Sequence, residues 1–242
     1  MKKNLKKFIL SILSLVPIRF IPLDLFLWLS QRITSAIAYL LFIRDWQLEA
    51  NGRPQFFKHR INLARWPFES SRWAFVARGV YSRENMFRGC KVLDLCCGDG
   101  SYSYLFYSDI ASHIDAVDND SIAIKYARKY HSNSKIIFHQ IDIVNHDLPS
   151  SEYDIVVWNA AICYFELHEI KQVILKIIKS GKPNLQLIGM IPKANGWVDH
   201  KTEFSDTEIL RQLFLQYFKV VTIKEVDEIS ITTFYFQASS PY

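Results

Sequence analysis

Apolar runs of strand length alternate with helical patterns over the second half of the chain. Strands are predicted at 91–96, 113–117, 135–140, 153–158 and 185–191. Helical patterns lie between them, at 102–108, 121–130 and 167–179. Alternation of this kind is typical of βαβ units, which build a parallel sheet with helices on its faces.

The order of elements changes after residue 191. A helix is predicted at 206–214, and two strand-like runs follow at 218–226 and 231–238, joined by a short acidic turn at Asp227 and Glu228. Such a hairpin adds antiparallel strands to the edge of a parallel sheet. The pattern therefore predicts an α/β fold: a Rossmann-like, doubly wound, mostly parallel seven-stranded sheet with a C-terminal antiparallel hairpin, plus an N-terminal helical extension.

The N-terminal extension, residues 1–44, is basic and apolar. At helical spacing Lys3 and Lys7 fall on one face, and apolar side chains gather opposite, as in a helix that lies on an anionic membrane surface. A second apolar helix is predicted at 23–43. Charged residues interrupt both stretches before the about 20 apolar residues that a membrane span needs. The alternative interpretation is that both helices cap the main domain and the lysines are merely solvated.

The net charge of +5 resides in this extension. Residues 1–44 hold seven cationic side chains and one acid, which leaves 22 cations and 23 acids for the other 198 residues. A near-neutral body has no electrostatic basis for binding a polyanion, so no nucleic-acid partner is expected.

The composition divides the chain into three parts: the extension at 1–44, a helical cap or lead-in at 45–88, and an α/β domain at 89–242. The four cysteines form no CxxC pair and have no histidine-rich companion, so neither a metal site nor a disulfide framework is expected. This favours a cytoplasmic protein, with the extension on the inner face of the membrane if it binds there.

The stretch "KVLDLCCGDGSYSY", residues 91–104, carries the clearest chemistry. Gly98 and Gly100 lie between a predicted strand and a helix, where a tight turn brings backbone N–H groups close to a ligand. A dinucleotide loop would have a third glycine where Ser103 stands, and the carboxylate of Asp94 would repel a pyrophosphate. A cationic ligand is therefore favoured, and a nicotinamide-dependent oxidoreductase is disfavoured.

The stretch resembles the first motif of the class I S-adenosylmethionine-dependent methyltransferases, and the resemblance extends over residues 89–238. It implies a methyltransferase whose cofactor is S-adenosylmethionine, with Asp94 near the aminoacyl end of that cofactor. Cys96 stands where the family often has glycine. The cofactor-binding residues that the resemblance implies are Asp94, Cys96, Gly98, Asp99, Gly100, Asp118, Asn119, Asp142, Ile143 and Asn159.

The downstream positions resemble the later motifs of the family. Asp118 ends "HIDAVD" and matches the acid that binds both ribose hydroxyls, with Asn119 beside it. Asp142 matches the acid that contacts adenine, with Ile143 beside the ring. Asn159 corresponds to the strand end that faces the reactive methyl group. The alternative for each aspartate alone is a turn former or a helix cap.

The absence of two sequence motifs narrows the range of possible methyl acceptors. "WNAAICY", residues 158–164, is not the Asn/Asp-Pro-Pro-Tyr/Phe tetrad of amino-methylating nucleic-acid enzymes, and no Pro-Cys pair is present. We expect a small or membrane-linked acceptor, first of all a hydroxyl of a sugar or lipid-linked glycan. A quinone or phenol, methylated on oxygen or carbon, is the alternative. A non-catalytic module that only binds S-adenosylmethionine is another.

Two residues are candidates for removing a proton from the acceptor. His200 and Glu203 precede a predicted helix, and histidine titrates near neutrality, which suits a general base. The alternative is that Glu203 and Asp206 serve the helix N-terminus while His200 is an exposed loop residue. Arginines ahead of the glycine loop are candidates for binding the cofactor carboxylate or an acidic acceptor: Arg60, Arg65 and Arg72.

Overall fold

The computed structural model describes residues 24–34, 36–37, 70–194, 196, 199–227 and 231–242. By its internal contacts the chain divides into two units, Met1–Arg53 with Asn62–Pro67, and Pro54–Ile61 with Phe68–Tyr242. In the first unit, residues 24–34 are helical. The helix predicted nearer the N-terminus and most of the lead-in lie outside the described residues, so the three-part division stays a prediction.

The second unit contains the predicted strands and helices. Its strands are β1 (Lys91–Leu95), β2 (His113–Asp118), β3 (Ile136–Gln140), β4 (Tyr153–Asn159), β5 (Gly181–Pro192), β6 (Phe218–Asp227) and β7 (Thr232–Pro241). Its α-helices are α1 (Ser70–Glu84), α2 (Ser121–Tyr130), α3 (Leu167–Ser180) and α4 (Thr207–Leu215). A π-helical turn covers Ser103–Tyr107, and a 3₁₀ turn covers Ile162–Tyr164.

The strands form one seven-stranded sheet in the order β3-β2-β1-β4-β5-β7-β6. Strands β1 to β5 pair in parallel, and β7 runs antiparallel to both β5 and β6. The predicted fold class, including the C-terminal hairpin, is confirmed. Strand β2 lies on one side of β1, and β4 lies on the other side. Because the chain therefore leaves β1 and β4 in opposite directions, a crevice opens at the carboxyl ends of these strands.

Local capping sets where the helices begin. The side chain of Asp120 accepts hydrogen bonds from the N–H groups of Ile122 and Ala123 at the start of α2. Asp206 does the same for Glu208 and Ile209 at the start of α4, so this helix begins one residue after the predicted position. These caps fix the point at which the chain leaves each loop of the crevice.

Hydrophobic side chains fill both faces of the sheet. On one face the core includes Ile174 of α3 and Phe214 of α4, and on the other it includes Tyr107 and Ile124. Every residue of β4 is buried, as expected for a central parallel strand. Among the described helices, none is both long and apolar enough to cross a membrane.

Gly189 of β5 is a packing constraint at the centre of the sheet. It pairs with Trp158 of β4 on one side and with Phe236 of β7 on the other. A Cβ atom there would lie 2.2 Å from the carbonyl oxygen of Trp158 and 2.8 Å from the Phe236 ring. Because one of these obstacles is backbone, the strands themselves would have to move apart.

We therefore expect Gly189→Ala to lower the free energy of unfolding by about 1–3 kcal/mol, as overpacking does in other cores. Urea unfolding followed by circular dichroism measures the change. Val220→Ala, at a position of β6 that is 54% exposed, is the control and should change stability little. A Gly189→Ala variant as stable as the original chain would contradict the constraint.

Candidate functional site

The carboxyl ends of four adjacent strands bring the predicted site residues to one edge of the sheet. The glycine loop follows β1, Asp118 ends β2, Asp142 follows β3, and Asn159 ends β4. The order β3-β2-β1-β4 places these strand ends side by side. The topology therefore brings the four positions to the same edge of the sheet.

Left-handed backbone shapes the glycine loop. The φ angles are +54° at Cys96, +55° at Gly98 and +74° at Gly100. A Cβ atom on Gly100 would lie 2.4 Å from the ring of Phe138, so only glycine fits there. Cys96 adopts the same conformation at a cost of roughly 1–2 kcal/mol, which explains why glycine would suit this position.

Asp118 is 6% exposed and bound to the loop. Its Oδ2 accepts the N–H of Gly98 at 2.8 Å, and its Oδ1 accepts the N–H of Asp120 at 2.9 Å. Burial raises the pKa of Asp118, while these backbone donors lower it. Each carboxylate oxygen has two acceptor positions. The two oxygens can therefore accept further hydrogen bonds, for example from two neighbouring hydroxyl groups.

Asp94 is 2% exposed, and its Oδ2 accepts a hydrogen bond from the Ser103 hydroxyl at 2.6 Å. Burial raises the pKa of Asp94 to about 7, with the Ser103 hydrogen bond lowering it and the charge of Asp118 adding to the rise. Neither carboxylate has an ion-pair partner within the described part of the chain. The crevice thus has buried acidic groups that a positively charged ligand would stabilise.

Asp99 serves the loop itself. Its Oδ1 accepts the backbone N–H of Ser101 at 3.0 Å and the hydroxyl of Ser101 at 2.6 Å. Its carbonyl oxygen is 2.6 Å from Nδ1 of His131, at the end of α2. These contacts hold the loop against α2, and a direct role of Asp99 in cofactor binding stays a prediction.

The acid after β3 also forms a turn. The side-chain amide of Asn145 donates to Asp142 at 2.7 Å and lowers the pKa of Asp142, assisted by the N–H groups of Val144 and Asn145. Ile143 is buried in the core on the α3 face, whereas Asn119 is exposed beside Asp118. The adenine contacts of Asp142 and Ile143 stay predictions.

The end of β4 carries a buried polar network. The amide nitrogen of Asn159 donates to the Ser82 hydroxyl of α1 at 3.0 Å and to the Tyr107 hydroxyl at 3.2 Å. Its Oδ1 is buried and, among the described residues, has no hydrogen-bond partner. Ala160 follows with a φ of +55°. The sequence placed Asn159 here but missed Ser82 and Tyr107, because their pairing depends on how α1 packs.

His200 is not an exposed loop residue, because its side chain is only 2% exposed. Its Nδ1 lies 3.6 Å from Oε1 of Glu203, and its ring meets the ring of Tyr164 edge-on at 5.3 Å between centroids. The alternative had both Glu203 and Asp206 at the N-terminus of α4. Asp206 does cap this helix, but Glu203 accepts the N–H of Gly196 at 3.0 Å. The two candidate residues are therefore brought together away from the helix start.

The remaining side chains of interest are the arginines and the loop cysteine Cys96. Arg60 and Arg65 lie outside the described residues, as does the side chain of Arg72. Arg78 of α1 has a buried Nε that, within the described residues, has no hydrogen-bond partner. Burial raises the pKa of the Cys96 thiol well above its usual value, and the thiol is accordingly neutral and a poor nucleophile. No metal-binding cluster occurs among the described side chains.

Comparison with known proteins agrees with this geometry. A family profile described as "Methyltransferase domain" matches residues 92–184. No curated protein sequence matches the chain. The N-methyltransferase NodS from Bradyrhizobium japonicum WM9 superposes with a TM-score of 0.58 at 13% identity, covering 72% of this chain and 97% of that chain.

Two further solved structures are similar. An S-adenosylmethionine-dependent methyltransferase from Mesorhizobium loti has a TM-score of 0.54 at 13% identity and covers 72% of this chain and 99% of its own. DhpI in complex with S-adenosylhomocysteine has a TM-score of 0.55 at 17% identity and covers 77% and 95%. At these identities the likeness establishes the fold.

Residues 92–184 thus match a methyltransferase domain, and the protein is an enzyme whose cofactor is S-adenosylmethionine. The crevice fits that cofactor on its own chemistry. The glycine loop leaves room for close approach, and the buried acids Asp94 and Asp118 suit a ligand that carries ammonium and sulfonium charges.

The raised pKa of Asp94 has a consequence for stability. Between its usual value and about 7, the folded chain holds a proton that the unfolded chain has lost, so stability falls as the pH rises through this range. Asp94→Asn should therefore increase the free energy of unfolding of the ligand-free protein, and the increase at about pH 8 should exceed that near pH 5 by on the order of 1–3 kcal/mol.

Asp115 of β2 provides a matched control, because it is also 2% exposed. Burial acts to raise the pKa of Asp115, but hydrogen bonds from His139 and Tyr153 lower it overall. Asp115→Asn should therefore destabilise the protein at about pH 8. Urea titrations at both pH values measure the changes, and equal effects of the two variants would contradict the assignment.

Proposed function

We propose that the enzyme transfers the methyl group of S-adenosylmethionine to a small or membrane-linked acceptor, in the first place a hydroxyl of a sugar or lipid-linked glycan. The observation that carries the proposal is the pair of buried acids, Asp94 and Asp118, at a glycine-lined crevice, together with the buried His200 side chain and its neighbour Glu203. The first pair supports cofactor binding, and the second supports proton removal from a hydroxyl.

The cofactor would be held mainly by the loops after β1 and β2. Asp118 would bind the two ribose hydroxyls through its two carboxylate oxygens, each charge-assisted bond contributing about 1.5–3 kcal/mol. Asp94 would face the aminoacyl end, and Gly98 and Gly100 would permit the close approach. Asp142 with Ile143 would border the adenine.

The bound sulfonium supplies an already activated methyl group, so the protein has to orient the acceptor and to remove its proton. His200 would take the hydroxyl proton through Nε2, since Glu203 lies on the Nδ1 side of the ring. The Glu203 carboxylate would stabilise the imidazolium that forms. Their separation of 3.6 Å is longer than a hydrogen bond and would shorten as charge develops.

Features around the crevice support an acceptor with polar groups. Asn159 has a buried Oδ1 that can accept a hydrogen bond, and Arg78 has a buried Nε–H that can donate one. Tyr164 is 45% exposed beside His200 and offers an aromatic face. A sugar could hydrogen-bond to Asn159 and Arg78 and stack on the Tyr164 ring, whereas a quinone would mainly stack on the Tyr164 ring.

Incubation with methyl-labelled S-adenosylmethionine distinguishes the candidates. Label recovered in an extracted lipid-linked glycan supports the proposal, and label recovered only in an added quinol supports the alternative. Binding of S-adenosylhomocysteine with no transfer to either acceptor class would support the non-catalytic module.

His200→Ala should reduce turnover about 10²–10⁴-fold, as loss of a general base does, and leave the Kd for S-adenosylhomocysteine within about twofold. Asp118→Ala should instead raise the Kd for S-adenosylhomocysteine at least about tenfold, because it removes the acceptors for the ribose hydroxyls. Initial-rate assays and isothermal titration measure the two effects. His168→Ala, at an exposed position, is the control. Unchanged turnover in His200→Ala would remove the base assignment.

We further propose that the N-terminal extension attaches the enzyme peripherally to an anionic membrane, on its cytoplasmic face. The helix at 24–34 supports this, because its large apolar side chains are 40–59% exposed and none is buried. The guanidinium of Arg32 lies 5.3 Å from the Trp28 ring, a pairing suited to the boundary between headgroups and acyl chains. The net charge of +6 over residues 1–44 adds attraction to anionic lipid.

Vesicle flotation of the full chain tests the attachment. Binding should be strong to phosphatidylglycerol vesicles, weaker to phosphatidylcholine vesicles, and reduced by salt. A Leu25→Ser, Trp28→Ser, Leu29→Ser triple variant should lower the bound fraction at least about fivefold, because it removes the inserting side chains. Val220→Ser, at a similarly exposed position of β6, is the control. Equal flotation of the triple variant and the original chain would end the proposal.

A further inference from the structure

Ser103 occupies an unusual position behind the glycine loop. It begins the π-helical turn Ser103–Tyr107, after which the N–H of Ser108 donates to the Ser103 carbonyl at 3.0 Å. π-Helical turns are uncommon and often lie at functional sites. Ser103 is fully buried, and the turn directs its hydroxyl to Asp94 of β1 at 2.6 Å.

The surroundings of Asp94 contain no compensating positive charge among the described residues. Groups that face it are Asp118 from β2, the thiols of Cys96 and Cys97 in the loop, and the Tyr107 hydroxyl from the π-helical turn. None of these groups is cationic. The Ser103 hydroxyl is the one hydrogen bond described for this carboxylate.

This setting leaves Asp94 divided between two protonation states near neutral pH. Burial raises its pKa to about 7, and the Ser103 hydrogen bond opposes the rise by stabilising the ionised form. Without a ligand, therefore, a substantial share of the molecules carries a neutral Asp94 at pH 7. A cation placed beside the carboxyl group would favour the ionised state.

We infer that cofactor binding is coupled to loss of a proton from Asp94, and that Ser103 is a positioning residue that sets the pH at which this coupling operates. The inference rests on the proposed placement of Asp94 at the aminoacyl end of the cofactor. On binding, the carboxyl O–H bond breaks and its proton passes to solvent. The carboxylate then faces the ligand's ammonium group while Ser103 keeps donating to it.

The coupling predicts a particular pH dependence of affinity. Because the ligand binds the ionised form better, affinity should rise with pH through the range in which free Asp94 titrates, by at most about tenfold per pH unit. It should level off once Asp94 is ionised in the free protein. S-adenosylhomocysteine is the appropriate probe, because it retains the ammonium group and is not consumed.

Isothermal titration between about pH 5.5 and 8.5 tests the inference, with buffers of different ionisation enthalpy reporting the protons released. The original chain should release a fraction of a proton near pH 7 and bind at least about fivefold more tightly at the upper limit. Asp94→Asn should bind more weakly than the original chain at the upper limit and show a much flatter profile. Any pH dependence that it retains reports titration of the ligand itself.

Ser103→Ala should raise the pH of the affinity increase, because the ionised carboxylate loses its donor. Its affinity should fall at least about threefold near pH 7 and approach the original value near pH 8.5. Ser103→Thr keeps a hydroxyl and should restore the original profile. If Ser103→Ala does not fold, Ser103→Cys, a weaker donor, replaces it in the same comparison.

A pH-independent affinity of the original chain, or an equal loss at every pH in Ser103→Ala, would overturn the inference while leaving the cofactor crevice intact. The second outcome would mean that Ser103 acts only on packing. Failure of S-adenosylhomocysteine to bind at any pH would instead reject the proposed crevice, and the inference with it.

Discussion

Buried negative charge at the carboxyl edge of the sheet is the constraint on which the site depends. Asp94 and Asp118 are 2% and 6% exposed, and both have raised pKa values because burial penalises their ionised forms. A stable empty fold would be served better by neutral side chains at these positions. The arrangement is understandable if a cationic ligand supplies the missing charge, which is the property that separates S-adenosylmethionine from a dinucleotide.

Several local features exist to hold this charge in place. The N–H of Gly98 anchors Asp118, the Ser103 hydroxyl anchors Asp94, and left-handed backbone at Cys96 and Gly100 turns the chain between them. Burial of these acids costs stability at the crevice, while β4, β5 and the two hydrophobic faces supply it. The hydroxyl that binds Asp94 belongs to a π-helical turn, so the irregular helix geometry also serves the site.

The sheet could be predicted from sequence because buried parallel strands read as apolar runs. Predicted and observed strands agree within a few residues, except that β5 begins at Gly181, four residues before the apolar run. The contacts of the site could not be predicted. Ser103 and Asp94 are nine residues apart, and only the π-helical turn brings them together. Likewise, loop composition predicted an exposed alternative for His200, whereas the Cys163 carbonyl binds the N–H groups of Lys201 and Thr202 and draws the loop inward.

A crystal structure of the full chain with S-adenosylhomocysteine tests the central claim most directly. We expect the nucleoside at the carboxyl ends of β1, β2 and β3, with both ribose hydroxyls within hydrogen-bond distance of the Asp118 carboxylate and the ammonium group beside Asp94. A nucleoside bound elsewhere, or one bound in the crevice with its charged end turned away from Asp94, would contradict it.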